Sequence, residues 1–203
     1  MPEDKKNTEV AQGDNNKVAA QGDNKPPVLE VRVARTLDDL MMVVAIRALV
    51  YMGEQNCPYA EEFDGNDLVA TNLIGFVNGE PAATVRMRYF GGFAKHERTT
   101  VRPEFRGTGI GKAIVDFSLE YLRKKGFRVM YGHARADLRE YWEKRGFTVY
   151  SQPFRFSDHD YLPMAGPLGE HPDPLTVETD PLILNRPEGE WDRPGVLDAS
   201  AAR

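Results

Sequence analysis

A single cysteine, Cys57, stands in 203 residues, so no disulfide can close within the chain, which fits a reducing compartment. Its plainer reading is a small buried hydrophobe. No run approaches the roughly 20 apolar residues of a membrane helix, and the N-terminus MPEDKKNTEV lacks the apolar segment of a secretory signal, so a cytoplasmic protein without a membrane partner is expected. Positive charge is also short: 26 Lys and Arg against 31 Asp and Glu leave a net charge of -5. That balance argues against nucleic acid or an anionic membrane as partner and favours a small ligand. His96, His133, His159 and His171 show no i,i+3 or i,i+4 spacing with one another or with Cys57, so no metal is expected. Ser118 lies in no G-x-S-x-G elbow. The run Ser157-Asp158-His159-Asp160 reads as a solvated edge or turn, because neighbours on a strand alternate faces.

What is present is the balance of one globular domain with polar tails, 41% hydrophobic and 28% charged. Residues 1–27 are rich in Asn, Asp, Gln, Lys and Gly and repeat AQGDN at 11–15 and 20–24, which predicts a disordered tail. Residues 28–165 form the expected domain. Beyond it, 166–203 is proline-rich, yet Leu175, Val177 and Leu182-Ile183-Leu184 imply that this extension docks on the domain or on a second subunit. A homodimer is therefore one assembly the sequence allows.

The domain reads as alternating α and β. A strand over 28–35 precedes a helix opened by Thr36 with Asp39, a capping-box pair, and carrying Leu40, Val43, Val44, Ile46, Leu49 and Val50. A polar stretch over 54–67 follows. Strands near 69–77 and 81–89 flank Asn78-Gly79, a strong hairpin signal, and a third, near 93–101, enters a glycine-rich loop. From Gly109, Ile110, Ala113, Ile114, Phe117, Tyr121 and Leu122 recur at helical spacing until Gly126. A strand over 128–135, a short helix capped by Asp137, and strands near 147–151 and 154–162 complete the order βαβββαβαββ.

The loop Arg106-Gly107-Thr108-Gly109-Ile110-Gly111-Lys112 carries the chemistry. Its glycines let successive amides converge on an anion at a helix N-terminus, where the helix adds about half a positive charge. A diphosphate suits that site. The spacing is neither GxGxxG nor GxxxxGK[ST], which excludes Rossmann and P-loop readings. A plain turn into a core helix would not explain why Arg98, Arg102, Arg106 and Lys112 cluster here in an acidic chain.

The stretch Val101-Arg-Pro-Glu-Phe-Arg-Gly-Thr-Gly-Ile-Gly111 resembles the V-x-P-x-x-[RQ]-G-x-G-x-[GA] signature of GNAT N-acetyltransferases, and Tyr141-Trp-Glu-Lys-Arg-Gly-Phe147 resembles that family's Y-x-x-x-G-F motif. The stretch Glu54-Gln55-Asn56-Cys57-Pro58-Tyr59, with Asp64 and Asp67, is similar to a bacterial subgroup of small acetyltransferases, and Lys95-His-Glu-Arg98 with Val101 more faintly to acyl-homoserine-lactone and N-acyl amino acid synthases. The resemblance implies a mixed, mostly antiparallel twisted sheet of about seven strands with flanking helices. It also implies acetyl-CoA, or another acyl-CoA, as cosubstrate. The loop amides would hold the pyrophosphate, the strand through Thr99 and Val101 would splay to pair with pantetheine, and Trp142 would pack against the cofactor's arm.

An amine nucleophile is protonated at neutral pH, and exposing its lone pair costs roughly 4 kcal/mol, so a base or a water chain is needed. Glu97 is the first candidate, against a plainer reading as a strand residue paired with Arg98 or Arg88; His133 is the second, against an ordinary interior histidine. The acid that relatives supply from a tyrosine falls here on Trp142, and Tyr141, the candidate for it, is one place early, a rotation of about 100° around a helix, so either Tyr141 approaches by a local adjustment or the acid is absent. Glu54, Tyr59, Asp64 and Arg135 are the expected acceptor contacts. The expected reaction is acetyl transfer to a primary amine of a small molecule by direct attack. Two alternatives stand beside it: a longer acyl chain from CoA or acyl carrier protein, in a tunnel of Met41, Met42, Met52, Met87 and Met130, or acyl-CoA binding without turnover.

Overall fold

The computed structural model describes residues 25–156 and 159–201. The AQGDN copies, most of the 1–27 segment, and Ser157 and Asp158 lie outside the described residues.

Strand β1 (Leu29–Val33) leads to helix α1 (Leu37–Arg47), where Thr36 and Asp39 form both halves of the capping box. Asp39 also receives Arg32 through two bonds of 2.8 and 2.6 Å, which hold its carboxyl well below the usual carboxylate range. The chain then widens into a π-helical stretch, Ala48–Glu54, and a short helix, α2 (Tyr59–Glu62). Strands β2 (Thr71–Val77), β3 (Glu80–Phe90) and β4 (Phe93–Val101) form an antiparallel meander. Asn78 and Gly79, at φ of 52° and 85°, give the β2–β3 turn the left-handed pair that matches strand twist.

After the loop come α3 (Ile110–Lys124), β5 (Val129–Arg135), α4 (Arg139–Glu143), β6 (Thr148–Val149), β7 (Phe154–Phe156) and β8 (His159–Pro167). The strands make one eight-stranded sheet in the order β1-β2-β3-β4-β5-β8-β6, with β7 also on β8. Among the described residues β4–β5 is the parallel pair.

Alternation along β2 sends Leu73 into the core beneath α3, with Val85, Met87, Ile114 and Leu122, and Ile74 into a second cluster with Val43 and Ile46 of α1. The two helices therefore cover opposite faces of the sheet. Three local expectations change. The 54–67 stretch contains a helix, α2. The run over 154–162 contains two paired strands, Phe154 opposite Tyr161 and Phe156 opposite His159. Asp137 makes no cap bond: a 3-10 turn, Ala136–Leu138, precedes α4, and the Asp137 carboxylate takes the Arg135 guanidinium at 2.9 Å.

The C-terminal stretch, with α5 (Pro181–Leu184) and α6 (Val196–Ala201), returns to the domain. Glu190 pairs with Arg35 at 2.8 Å, Glu188 bonds the Tyr121 hydroxyl and Lys125, and the Trp191 ring lies 5.4 Å from that of Tyr121. No helix among the described residues is long and apolar enough to cross a membrane.

Candidate functional site

Strands β4 and β5 pair through Ala94, Lys95 and His96 against Met130, Tyr131 and Gly132, then part. At the vertex, a Cβ on Gly132 would lie 2.8 Å from the His96 carbonyl oxygen, so glycine is what permits this approach. The parting follows a bulge in β4: the register with β3 passes from Arg86 opposite Glu97 to Thr84 opposite Thr100, one residue more on β4, and Arg98 takes a φ of 54°. The fork opens a cavity of about 940 Å³ between α3, α4, the π-helical stretch and the β7–β8 hairpin.

On the α3 side the wall is main chain. Gly107 and Gly109, at φ of 84° and 95°, turn the loop into the helix. The Arg106 amide donates to the Pro103 carbonyl, the Thr108 amide to that of Phe105 at 3.4 Å, and the Ile110 amide to the Thr108 hydroxyl, two residues back, at 3.5 Å. The helix's own ladder begins with Ala113 on Gly109. Among the described residues, the amides of Gly107, Gly109, Gly111 and Lys112 have no protein acceptor. A helix start with four such donors fits a diphosphate. Beside it, Arg106 grips Glu54 of the π-helical stretch at 3.0 and 2.6 Å and reaches the Val101 carbonyl at 3.2 Å.

A chain of side chains fixes the vertex. Ser118 donates to the Val115 carbonyl at 2.6 Å, so it accepts from His96 Nε2 at 3.0 Å. His96 Nδ1 is then unprotonated and faces the Thr99 hydroxyl at 3.3 Å. Burial pushes His96 down to about 4, keeping it neutral. Its ring stands edge-on to Trp142 at 5.3 Å. Tyr51 donates to the Thr99 carbonyl at 2.9 Å.

On the α2 side the wall is ionic. Fully buried Arg86 bonds Glu97 at 2.9 Å, Asp64 at 2.8 and 2.5 Å, and Asp67 at 3.2 Å. Buried Arg47 holds Glu62 at 2.5 Å and also Asp67, while Arg98 faces Glu62 at 3.1 Å. Lys95 reaches the second Glu97 oxygen at 2.7 Å. Burial pushes the Asp64 carboxyl up, but the Arg86 bonds outweigh it and hold Asp64 well below the usual range. His133 is bonded to the Tyr131 hydroxyl at 2.9 Å; burial lowers it, with Lys95 and Arg98 adding to the effect and Glu97 opposing.

The cavity therefore brings together Thr99, Val101, Arg106, Gly111, Lys112, Tyr141 and Trp142 towards the helix start, and Asp64, Glu97, His133 and Arg135 away from it, with Glu54 between them on Arg106. Gly107, Thr108, Gly109 and Ile110 are outside that lining, Gly107 and Gly109 exposed beyond it and Ile110 wholly in the core. Tyr59 is 68% exposed, its ring tilted against Phe63, and outside the cavity. The Tyr141 ring lies under the Arg145 guanidinium at 3.7 Å, and burial raises its hydroxyl. Of the five methionines considered for a tunnel, Met130 lines the cavity, while Met87 is core and Met41 is 61% exposed. Sequence reasoning missed Tyr51, Arg86 and the His96–Ser118 pair. Alternation along β4 puts His96 with Ala94 on the buried face, a signal for its burial but not for its partner. Among the described residues, no group of three His, Cys, Asp or Glu is placed to hold a metal ion.

A profile of the Acetyltransferase (GNAT) family matches residues 42–147, a span containing the fork, the loop and α3. A Bacillus subtilis (strain 168) protein designated an acetyltransferase, with no substrate named, is 28% identical over 129 residues, 62% of this chain and 88% of its own. ElaA of Escherichia coli (strain K12) is 26% identical over 137 residues, 64% of this chain and 87% of its own. The ElaA crystal structure aligns with a TM-score of 0.63 over 68% of this chain and 99% of that one, at 23% identity. An acyl-CoA N-acyltransferase from Pseudomonas aeruginosa aligns with a TM-score of 0.63 over 69% and 99%, at 24% identity. These structures share the fold described above.

Proposed function

Since the chain belongs to the Acetyltransferase (GNAT) family, whose members transfer acyl groups with acyl-CoA as cosubstrate, we propose that it moves an acetyl group from acetyl-CoA to a primary amine of a small molecule by direct attack. The observation that carries this reading is the set of four unpartnered amides at the start of α3, beside the fork of β4 and β5. Those amides, with Lys112, would hold the pyrophosphate, and the edge of β4 through Thr99 and Val101, which no strand among the described residues pairs but whose carbonyls already accept from Tyr51 and Arg106, would hold pantetheine, with Trp142 and Tyr141 along its flank. The cosubstrate supplies the acyl group as a thioester.

The acceptor enters from the other end, past Glu54, Asp64 and Arg135. His133 is the base: burial shifts its imidazole towards the neutral form, and it lines the cavity away from the helix start. Glu97, whose two oxygens are taken by Arg86 and Lys95, orients and balances the charge of that wall. As the N–C bond forms and the C–S bond breaks, the ammonium gives up two protons, one to sulfur and one through His133 to solvent. The thiol's ordinary value near 8.5 makes a dedicated acid dispensable, so Trp142 in place of a tyrosine does not stop turnover.

Thiol release from acetyl-CoA across an amine panel tests the reaction. His133→Gln should lower kcat/KM by at least about 100-fold. In the unaltered protein kcat/KM should fall with acid along a limb centred below the ordinary histidine value of about 6.5, because burial lowers His133. That limb should vanish in the variant. Tight coenzyme A binding with no thiol release on any amine would make the domain a binding module and end the transferase reading.

A further inference from the structure

The acceptor end has a pattern that the transfer chemistry does not require. Arg135 of β5 lies directly opposite Tyr161 of β8, and Tyr161 directly opposite Phe154 of β7. Directly opposed residues share a face, so a guanidinium and two aromatic rings form one row across three strands. The rings of Phe154 and Tyr161 are stacked at 5.8 Å. His133, two residues before Arg135 on the same face, sets its ring 4.9 Å from Phe154. All four residues line the cavity.

The three cations of this end differ in how they are held. Lys95 is tied to Glu97 and Arg98 to Glu62, carboxylates that are 8% and 1% exposed. Arg135 is tied to Asp137, which is 56% exposed and two residues away on the same turn. That pair uses one edge of the guanidinium, Nε and Nη2, and its carboxylate is solvated, so water competes for it and a carboxylate brought in by a ligand can displace it. A planar guanidinium suits that anion through two parallel bonds. A second ammonium, by contrast, would face Lys95, Arg98 and Arg135 together.

Resting on the transferase reading, we propose that the acceptor is an aromatic α-amino acid: its ring lies on Phe154 and Tyr161, its carboxylate takes Arg135, and its amine is presented to His133. A base, an apolar floor and a guanidinium on one sheet face, within two residues along β5 and two strands across, match the spacing of amine, ring and carboxylate on one α-carbon. The product is the N-acetyl amino acid and coenzyme A, with no other reactant.

The test compares kcat/KM for L-phenylalanine, phenethylamine, L-alanine and spermidine with acetyl-CoA, beside calorimetry of coenzyme A. L-Phenylalanine should exceed phenethylamine, which lacks the carboxylate, and L-alanine, which lacks the ring, each by at least tenfold. Arg135→Met should raise the KM for L-phenylalanine and collapse its ratio to phenethylamine towards one, while Arg135→Lys should recover part of the ratio. Phe154→Ala should shrink the ratio of L-phenylalanine to L-alanine. Phenethylamine or spermidine matching L-phenylalanine, or Arg135→Met lowering both phenyl amines equally, overturns the inference and leaves the transferase standing. No thiol release with any amine, with coenzyme A bound, removes the transferase and this inference together.

Discussion

The two walls of the cavity are built in opposite ways. The α3 wall presents main-chain donors that nothing in the described protein accepts, while the α2 wall presents side-chain charges whose partners are mostly already supplied. An empty set of donors binds whatever anion reaches it and changes little in doing so. A saturated set holds shape, and recognition falls to the few pairs that can open. One wall is therefore suited to a constant ligand and the other to a selective one.

The contrast breaks most sharply if main-chain donors are withdrawn. Gly109→Asp places a side chain at a φ of 95° and an anion at the helix start. The Kd for coenzyme A should rise by more than about 100-fold, or ~2.7 kcal/mol, by calorimetry. A similar Kd would mean that side chains, not amides, hold the ligand.

Next in size for ligand binding, though larger for folding, is the ionic wall. Arg86→Ala takes the buried guanidinium from Asp64, Asp67 and Glu97, leaving Asp67 on Arg47 and Glu97 on Lys95, and denaturant unfolding should show a loss of about 3 kcal/mol. Coenzyme A affinity of the folded fraction should change less than threefold. Equal damage to both properties would show that the walls are not independent.

The smallest effect belongs to the seam. Glu54→Gln cuts the exposed bond to Arg106, and unfolding free energy should change by less than about 1 kcal/mol, less still in high salt. A larger, salt-insensitive loss would mean that this pair is a structural clasp.

The same contrast governs how much could be read from the residues. The α3 wall is local in sequence: Val101 to Lys112 contains the turn glycines, the helix start and the amides, so spacing alone exposed it. The meander was legible through Asn78-Gly79, and α1 through Thr36 and Asp39, for the same reason. The ionic wall unites Arg47, Glu62, Asp64, Asp67, Arg86 and Glu97, drawn from α1, α2, the following turn, β3 and β4. Charges paired across such separations leave no period, and 54–67 read as a polar stretch facing a ligand, whereas the structure turns much of it onto arginines. His96 and Ser118 were hidden likewise, because a histidine's partner on another element has no sequence signature.

The pinch at Gly132 also constrains how this architecture can diversify. A methyl group there collides with a carbonyl, so the sheet cannot be levered wider from its vertex without losing the strand pairing itself. Room for a differently sized acceptor has to be found at the rim, in the α2 segment and the β7–β8 hairpin. A designer seeking new selectivity should randomise those two flanks and leave the hinge of the sheet alone.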